Sequence, residues 1–244
     1  MKNLILITAL ICLPICSKGQ TEQYRIVTED WAPYNHIENG EITGIATDIV
    51  RAIMAITGDD FKISLLPSMR TRQILQTQPK TIMYSLFRTE PREASYKWVG
   101  PILEASIYPY QLAASPHPVR SRQQLINAPR ITTRHAGLVP ELLESQGFTN
   151  LDKAAAKSVQ LYRMLLAGRA DIIISDTEAG VAYYSRQLAI EPETLQQIPV
   201  EIYRSPLYIA FSRDCDDQLV EAWASALEQL RHSGELSRIA QRYN

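Results

Sequence analysis

Short apolar runs alternate with amphipathic stretches in the first half of the chain. The apolar positions predict strands at 24–28, 61–66 and 81–86. Helical spacing predicts a helix at 68–77 and an earlier helix that ends before Gly58. The earlier helix has four isoleucines on one face: Ile45, Ile49, Ile53 and Ile56. This βαβαβ order predicts a parallel sheet whose strands end at a common, ligand-binding edge.

A second α/β pattern follows an extended, proline-containing stretch. Its predicted elements are a strand at 131–133, helices at 140–146 and 158–167, a strand at 170–175 and a helix that carries Val181 and Tyr184. The helix at 158–167 is expected to point four side chains inward: Val159, Tyr162, Leu165 and Leu166. Two amphipathic helices close the chain, one from Asp216 and one after Gly234.

Two extended segments connect these α/β units, one near 102–108 and one near 203–208. Units joined by two such crossings can hinge, and the cleft between them can bury a small ligand when they close. The pattern therefore predicts an α/β protein of two lobes with its binding site in the cleft.

Composition adds one exclusion to this picture. The 244 residues are 45% hydrophobic and 21% charged, which is ample for a packed core. The formal net charge of −1 gives no electrostatic basis for nucleic-acid binding, so we expect no nucleic-acid partner.

Residues 1–19 have the features of a cleaved secretory signal peptide. The apolar run at 4–16 is too short to span a bilayer comfortably, and the segment 17–19 offers a small-residue cleavage site. We therefore expect an exported, periplasmic protein. The alternative, a lipoprotein signal acylated at Cys16, is disfavoured by the bulky Ile15 before it.

Cleavage would remove Cys12 and Cys16 and leave Cys215 as the remaining cysteine. A disulfide framework is then excluded, and the fold must rest on its hydrophobic core. Cys215 lies between Asp214 and Asp216, neither of which is a base suited to activate a thiol, so we interpret it as a spare thiol in a polar turn.

An arginine follows the predicted strand at 81–86, just after Pro91 in the first turn of a helix. The planar guanidinium of Arg92 can hold both oxygens of a small carboxylate, and the nearby helix N-terminus favours an anion. The alternative is a surface arginine paired with Glu90 or Glu93, and spacing alone does not decide between the two.

Two more side chains occupy predicted strand ends. Trp31 follows the first strand, and Asp176 follows the strand at 170–175. A carboxylate at this place faces a crevice in an α/β sheet, although it can equally serve as the N-cap of the following helix.

Further along the strand–loop–helix unit, Ser85, Thr89, Arg92 and the run Trp98-Val99-Gly100-Pro101 resemble the pattern of family 3 extracellular solute-binding proteins. These are the periplasmic receptors of polar amino-acid uptake systems. The resemblance runs from Tyr24 to Asn244 and implies a two-lobed periplasmic binding protein type II fold, each lobe a mixed sheet flanked by helices. The implied division is lobe 1 at 20–102 and 208–244 and lobe 2 at 103–207.

The resemblance also implies a ligand-binding set: Trp31, Tyr84, Ser85, Phe87, Arg92, Arg134 and Asp176. Arg92 matches the holder of the ligand's α-carboxylate, and Ser85 matches a second contact to it. Trp31 takes the place of the aromatic that packs on the ligand, where its face offers a cation–π contact. Asp176 matches the acid that pairs with the ligand's amino group, and Arg134 matches a basic position of some members.

Some positions depart from the family pattern. Tyr84 and Phe87 stand where small or hydroxylated residues are usual, which predicts a narrower or more apolar pocket. The family pattern also has an acidic residue near Trp31, and the sequence does not decide whether Glu29 or Asp30 takes this place. These departures question the binding of an ordinary polar amino acid, while the two-lobe mechanism is unaffected.

The resemblance implies a monomeric receptor without catalytic residues, metal or cofactor, which closes on an amino-acid-like or carboxylate ligand. Its partner would be an ABC transporter permease or a chemoreceptor. Two alternatives remain: a periplasmic sensor subunit, and an enzyme like the cyclohexadienyl dehydratases, which share the fold. The histidines are scattered and give no metal-ligand spacing: His36, His117, His135 and His232.

Overall fold

A computed structural model describes residues 24–116 and 118–243. The predicted signal peptide at 1–19, with Cys12 and Cys16, and His117 lie outside the described residues. No described helix has the length and apolarity that a membrane crossing requires.

The first part of the chain forms the predicted strands and helices and adds a short hairpin at 36–43 that was not predicted. They are β1 (Arg25–Thr28), β2 (His36–Glu38), β3 (Glu41–Thr43), α1 (Ile45–Thr57), β4 (Ile63–Leu65), α2 (Ser68–Thr77), β5 (Thr81–Phe87), α3 (Glu90–Glu93) and β6 (Tyr96–Leu112). Helix α1 ends at Gly58, which takes the left-handed conformation expected of a C-terminal glycine.

The second part adds further helices and strands. They are α4 (Arg122–Ile126), β7 (Ile131–Arg134), α5 (Leu138–Ser145), β8 (Leu151–Ala155), α6 (Ser158–Leu166), β9 (Ile172–Thr177), α7 (Glu178–Gln187), β10 (Leu195–Gln197), β11 (Tyr203–Ser212), α8 (Asp217–His232) and α9 (Glu235–Gln241).

One large mixed sheet runs through the molecule in the order β4-β1-β5-β11-β6-β9-β7-β8, and β10 pairs with β6. Strand β1 is parallel to β4 and β5, and β7 is parallel to β8 and β9, so each end of the sheet is a parallel α/β unit. We call the part around β4, β1 and β5 the first lobe and the part around β9, β7 and β8 the second lobe.

The long antiparallel strands β6 and β11 connect the two lobes. They coincide with the two predicted crossing segments, and the mixed α/β architecture is confirmed. Both strands run without a break through 102–103 and 207–208, so the lobe boundaries at those residues stay a prediction.

The largest core cluster packs α1 and α8 against the first lobe. Trp223 of α8 is fully buried and packs edge-to-face with Phe211, with ring centroids 5.4 Å apart. It donates its indole N–H to Asp59 at 2.8 Å. Burial of such large apolar surfaces holds the fold in place of disulfides.

Three predictions about the core are wrong. Leu166 is 43% exposed, because the buried face of α6 is set by Ser158, Leu161, Tyr162 and Leu165 and Leu166 points about a quarter turn away. Ile56 is 42% exposed in the last turn of α1. Cys215 is buried, with its Sγ 3.4 Å from Ser212 Oγ, so it belongs to the core and burial raises its pKa.

Candidate functional site

A cavity of about 280 Å³ lies between the two lobes. Trp31 follows β1 and Arg92 follows β5 on the first-lobe wall, and Arg134 ends β7 on the second-lobe wall. The N-terminal turn of α5, which begins at Leu138, closes the same side. The cavity therefore occupies the strand-end edge that the sequence predicts.

Hydrogen bonds join the lobes around this cavity. Tyr34 Oη lies 2.9 Å from Thr177 Oγ1 in the second lobe. Arg134 Nη2 reaches back to Ser68 Oγ in the first lobe at 2.9 Å. Arg72 of α2 forms an ion pair with Glu141 of α5 at 2.8 Å. The structure therefore shows the lobes in contact, with the cavity enclosed between them.

Arg92 is half-buried on the cavity wall. Its Nη1 donates to the Phe87 carbonyl at 3.2 Å, and no acid among the described residues lies within ion-pair distance of it. Glu93 pairs with Arg88 instead, so the alternative pairing with that residue is not formed. Burial, followed by the charge of Arg72, lowers the pKa of Arg92, which means that its charge lacks full compensation.

Ser85 also lines the cavity, because β5 bulges at this position. The register between β5 and β11 shifts here, and Ser85 has a φ of 62°, which is uncommon outside glycine. Its Oγ donates to Asn35 Oδ1 at 2.5 Å, so the hydroxyl has a partner within the protein.

Tyr84, which the resemblance assigns to the ligand, lies outside the cavity. The side chain is fully buried in the core, and its hydroxyl lies 2.9 Å from Thr47 Oγ1. Burial raises its pKa to about 12. Neighbouring residues of a strand point to opposite faces, and the bulge gives Ser85 the cavity side.

Two aromatic side chains form an apolar part of the wall. The Trp31 and Phe87 rings are 5.8 Å apart, and Trp31 also packs on Tyr34 at 4.7 Å. Both Trp31 and Phe87 line the cavity. The structure therefore brings Trp31, Phe87 and Arg92 together as predicted neighbours.

Arg134 lines the second-lobe wall beside the first-lobe acid. Its guanidinium is 3.7 Å from the Glu29 carboxylate, which also accepts a hydrogen bond from Ser68 Oγ. Of the two candidate acids, Glu29 lines the cavity, whereas Asp30 offers only its backbone carbonyl to Arg134, at 3.5 Å. The buried Nε of Arg134 has no hydrogen-bond partner among the described residues.

Asp176 lies within β9 and does not line the cavity. It is 3% exposed and accepts hydrogen bonds from Ser158 Oγ at 3.0 Å and Tyr162 Oη at 3.1 Å. Burial raises its pKa to about 6, although the charge of Arg134 and the hydrogen bonds act in the opposite direction.

The N-cap of α7 is Thr177, because β9 continues to this residue. Thr177 Oγ1 accepts a hydrogen bond from Gly180 N at 3.3 Å. The alternative prediction of Asp176 as N-cap is therefore wrong.

A model of the family described as bacterial extracellular solute-binding proteins, family 3, matches residues 24–244. The chain belongs to this family. No curated protein matches the sequence.

Solved structures of this family's fold superpose on almost the whole chain. A histidine kinase sensor domain with similarity to periplasmic binding proteins has a TM-score of 0.79 at 19% identity and covers 90% of this chain and 95% of its own. The arginine-, lysine-, histidine-binding protein ArtJ from Geobacillus stearothermophilus has a TM-score of 0.75 at 22% identity, with 91% and 95% covered. An ancestral amino-acid-binding protein, AncCDT-1, a precursor of cyclohexadienyl dehydratase, has a TM-score of 0.74 at 17% identity, with 91% and 94% covered.

Membership in the solute-binding family confirms the predicted fold and the general function. The protein is a ligand binder of the two-lobed periplasmic-binding-protein type, from a family that consists mainly of binding proteins and works outside the cytoplasm. Members bind small molecules and work with membrane transporters or sensor kinases.

Sequence reasoning missed several cavity residues of this solute-binding protein. Arg72 and Glu141 form the ion pair across the cleft, and Ser68, Met69 and Tyr96 also line the cavity. One signal was available: Ser68 and Arg72 are four residues apart on α2 and therefore share a helix face. Their common orientation toward the cleft could not be read from local pattern.

Among the described residues, no group of histidine, cysteine and acidic side chains could hold a metal ion. His36 packs its ring against Tyr183 at 4.9 Å, and His135 is exposed. No described histidine lines the cavity.

Proposed function

We propose that this protein is a periplasmic receptor that closes its lobes on a small carboxylate and delivers it to an ABC transporter. The observation that carries the proposal is Arg92, a half-buried cavity arginine with no acid in ion-pair distance among the described residues. A buried charge is costly unless it is paired, so this guanidinium favours an anionic ligand. Its fork matches the two oxygens of a carboxylate.

Closure of the lobes supplies the rest of the mechanism. The first lobe presents Arg92, Trp31 and Phe87, and the second lobe covers them with the turn before Leu138. A ligand held on one wall is thereby removed from water, which strengthens its ion pair with Arg92. The closed surface is then what a membrane partner recognises.

In this proposal the ligand is bound and released unchanged. No described histidine faces the cavity, and Asp176, whose pKa is raised to about 6, is sealed away from it. Purified protein should therefore leave prephenate and arogenate unchanged, as measured by chromatography. Conversion of either compound would contradict the receptor proposal and show that the protein is an enzyme with this fold.

The partner can be tested separately. Ligand-loaded protein should stimulate ATP hydrolysis by its transporter in vesicles. Stimulation of a histidine kinase instead would establish the sensor alternative.

The binding proposal is tested by a thermal-shift screen of the purified protein against small carboxylates and amino acids. A ligand at about 100 times its dissociation constant should add about 2.7 kcal/mol to the free energy of unfolding. The Arg92→Ala variant should lose this shift. Arg88→Ala is the matched control, because Arg88 lies four residues earlier, pairs with Glu93 and does not line the cavity. A hit that survives in Arg92→Ala would refute the carboxylate clamp.

A further inference from the structure

The charged groups on the cavity wall do not balance. The described lining contains three arginines and two glutamates: Glu29, Arg72, Arg92, Arg134 and Glu141. Their formal sum is +1. A ligand that restores neutrality must therefore bring one net negative charge.

Both glutamates already have partners. Glu141 accepts from Arg72 at 2.8 Å across the cleft. Glu29 accepts from Ser68 Oγ and lies 3.7 Å from Arg134. An ammonium group on a ligand would compete with Arg72 or Arg134 for one of these carboxylates and so weaken its contact with the arginine.

A ligand in the cavity cannot reach the carboxylate of Asp176. Asp176 is 3% exposed, is absent from the cavity wall and has its oxygens occupied by Ser158 and Tyr162. Burial raises the pKa of Asp176 to about 6, which agrees with its position behind the wall. Hydroxyl groups such as Ser175 Oγ remain on the wall, but they carry no charge to match an ammonium group.

The cavity wall carries apolar side chains beside its polar ones. Trp31 and Phe87 line it from the first lobe, and Leu138 lines it from the second. Met69 and Met83 complete a surface suited to a hydrocarbon or aromatic body.

We infer that the ligand is a small monocarboxylate with an apolar body and without an ammonium group. The inference rests on the proposed function, since it describes what the Arg92 receptor site selects. According to this inference, Asp176 has a structural role in this chain. A receptor for amino acids would need a free acid in the cavity to pair with the ammonium group.

The test uses pairs of probes that differ only in the α-amino group. Calorimetric titrations compare 3-phenylpropionate with L-phenylalanine, and 4-methylpentanoate with L-leucine. The amine 2-phenylethylamine serves as the third arm, and Arg92→Ala and Arg88→Ala accompany the wild type.

We expect at least one deaminated acid to bind at least about tenfold more tightly than its amino-acid counterpart, because the ammonium group has no charge partner. The amine should not bind, and only Arg92→Ala should abolish binding of the acid. Equal or tighter binding of an amino acid would overturn this inference and leave the carboxylate receptor intact. Failure of all four carboxylates to bind the wild type, or binding that survives in Arg92→Ala, would overturn the inference and contradict the proposed function as well.

Discussion

Arg92 and Asp176 occupy equivalent places in the two lobes, yet they differ in what surrounds them. Arg92 lies in α3 just after β5, and Asp176 is the residue before the last one of β9. Arg92 faces the cavity with a carbonyl as its hydrogen-bond partner, whereas Asp176 is sealed behind the wall by Ser158 and Tyr162. We therefore propose Arg92, and not Asp176, as the residue that contacts the ligand.

The largest expected effect is a difference in how strongly substitutions of Arg92 and Asp176 weaken ligand binding. Arg92→Ala should weaken 3-phenylpropionate binding by about 3 kcal/mol, because an ionised ligand then loses its buried partner. Asp176→Asn should change the affinity by less than about 0.5 kcal/mol, since its side chain does not reach the cavity. Calorimetry on both variants makes the comparison, and a larger loss in Asp176→Asn would contradict it.

A second expected effect concerns Trp31. This side chain lines the cavity and packs against Phe87 and Tyr34. Trp31→Ala should weaken binding of 3-phenylpropionate by about 2 kcal/mol through lost apolar contact. Trp98→Ala is the control, because Trp98 does not line the cavity and instead contacts Arg88 through a cation–π interaction and the edge of Tyr208. Equal losses in both variants, measured by calorimetry, would show that Trp31 acts on the fold and not on the ligand.

The pH dependence of stability sharpens the account of Asp176. Its pKa is raised to about 6 in the folded protein, so the folded state binds a proton more tightly than the unfolded chain does. Its ionisation therefore destabilises the fold as pH rises through this range. Relative to Asp176→Asn, the wild type should gain about 1 kcal/mol of unfolding free energy between about pH 7.5 and about pH 5.

Denaturant titrations at both pH values measure this difference. Asp152→Asn, at an exposed aspartate, is the control and should show no comparable change. A wild type that loses stability relative to Asp176→Asn on acidification would mean that the carboxylate is stabilised as an anion.

The smallest expected effect is the contribution of the ion pair at the margin of the cleft to stability. The Arg72–Glu141 pair joins the lobes, but its side chains are 33% and 50% exposed. A double-mutant cycle with Arg72→Met and Glu141→Gln should give a coupling below about 1 kcal/mol in unfolding free energy. The Arg88–Glu93 pair within the first lobe is the control. A much larger coupling across the cleft would make this pair a main determinant of closure.

The secondary structure could be predicted from the sequence only in part. Helical spacing locates α2 at 68–77 without error, although only Thr71 and Leu75 of this helix are buried. The apolar run at 81–86 identifies β5, which is buried throughout. The sequence pattern misses β8 at Leu151–Ala155, whose residues are mostly exposed and carry little apolar signal. Local sequence therefore predicts the fully buried strand better than the exposed one.

The candidate site is predictable only in part. Arg92, Trp31 and Phe87 line the cavity as the resemblance implies, since all three follow from strand ends. The placement of Tyr84 in the core depends on a bulge in β5 opposite β11. Such a register shift arises from pairing between distant segments, which local pattern does not record.

A crystal structure of the protein with bound 3-phenylpropionate tests the central claim most directly. We predict both carboxylate oxygens within hydrogen-bonding distance of the Arg92 guanidinium, the phenyl ring against Trp31 and Phe87, and Asp176 still bonded to Ser158 and Tyr162. A carboxylate bound away from Arg92 would contradict the account.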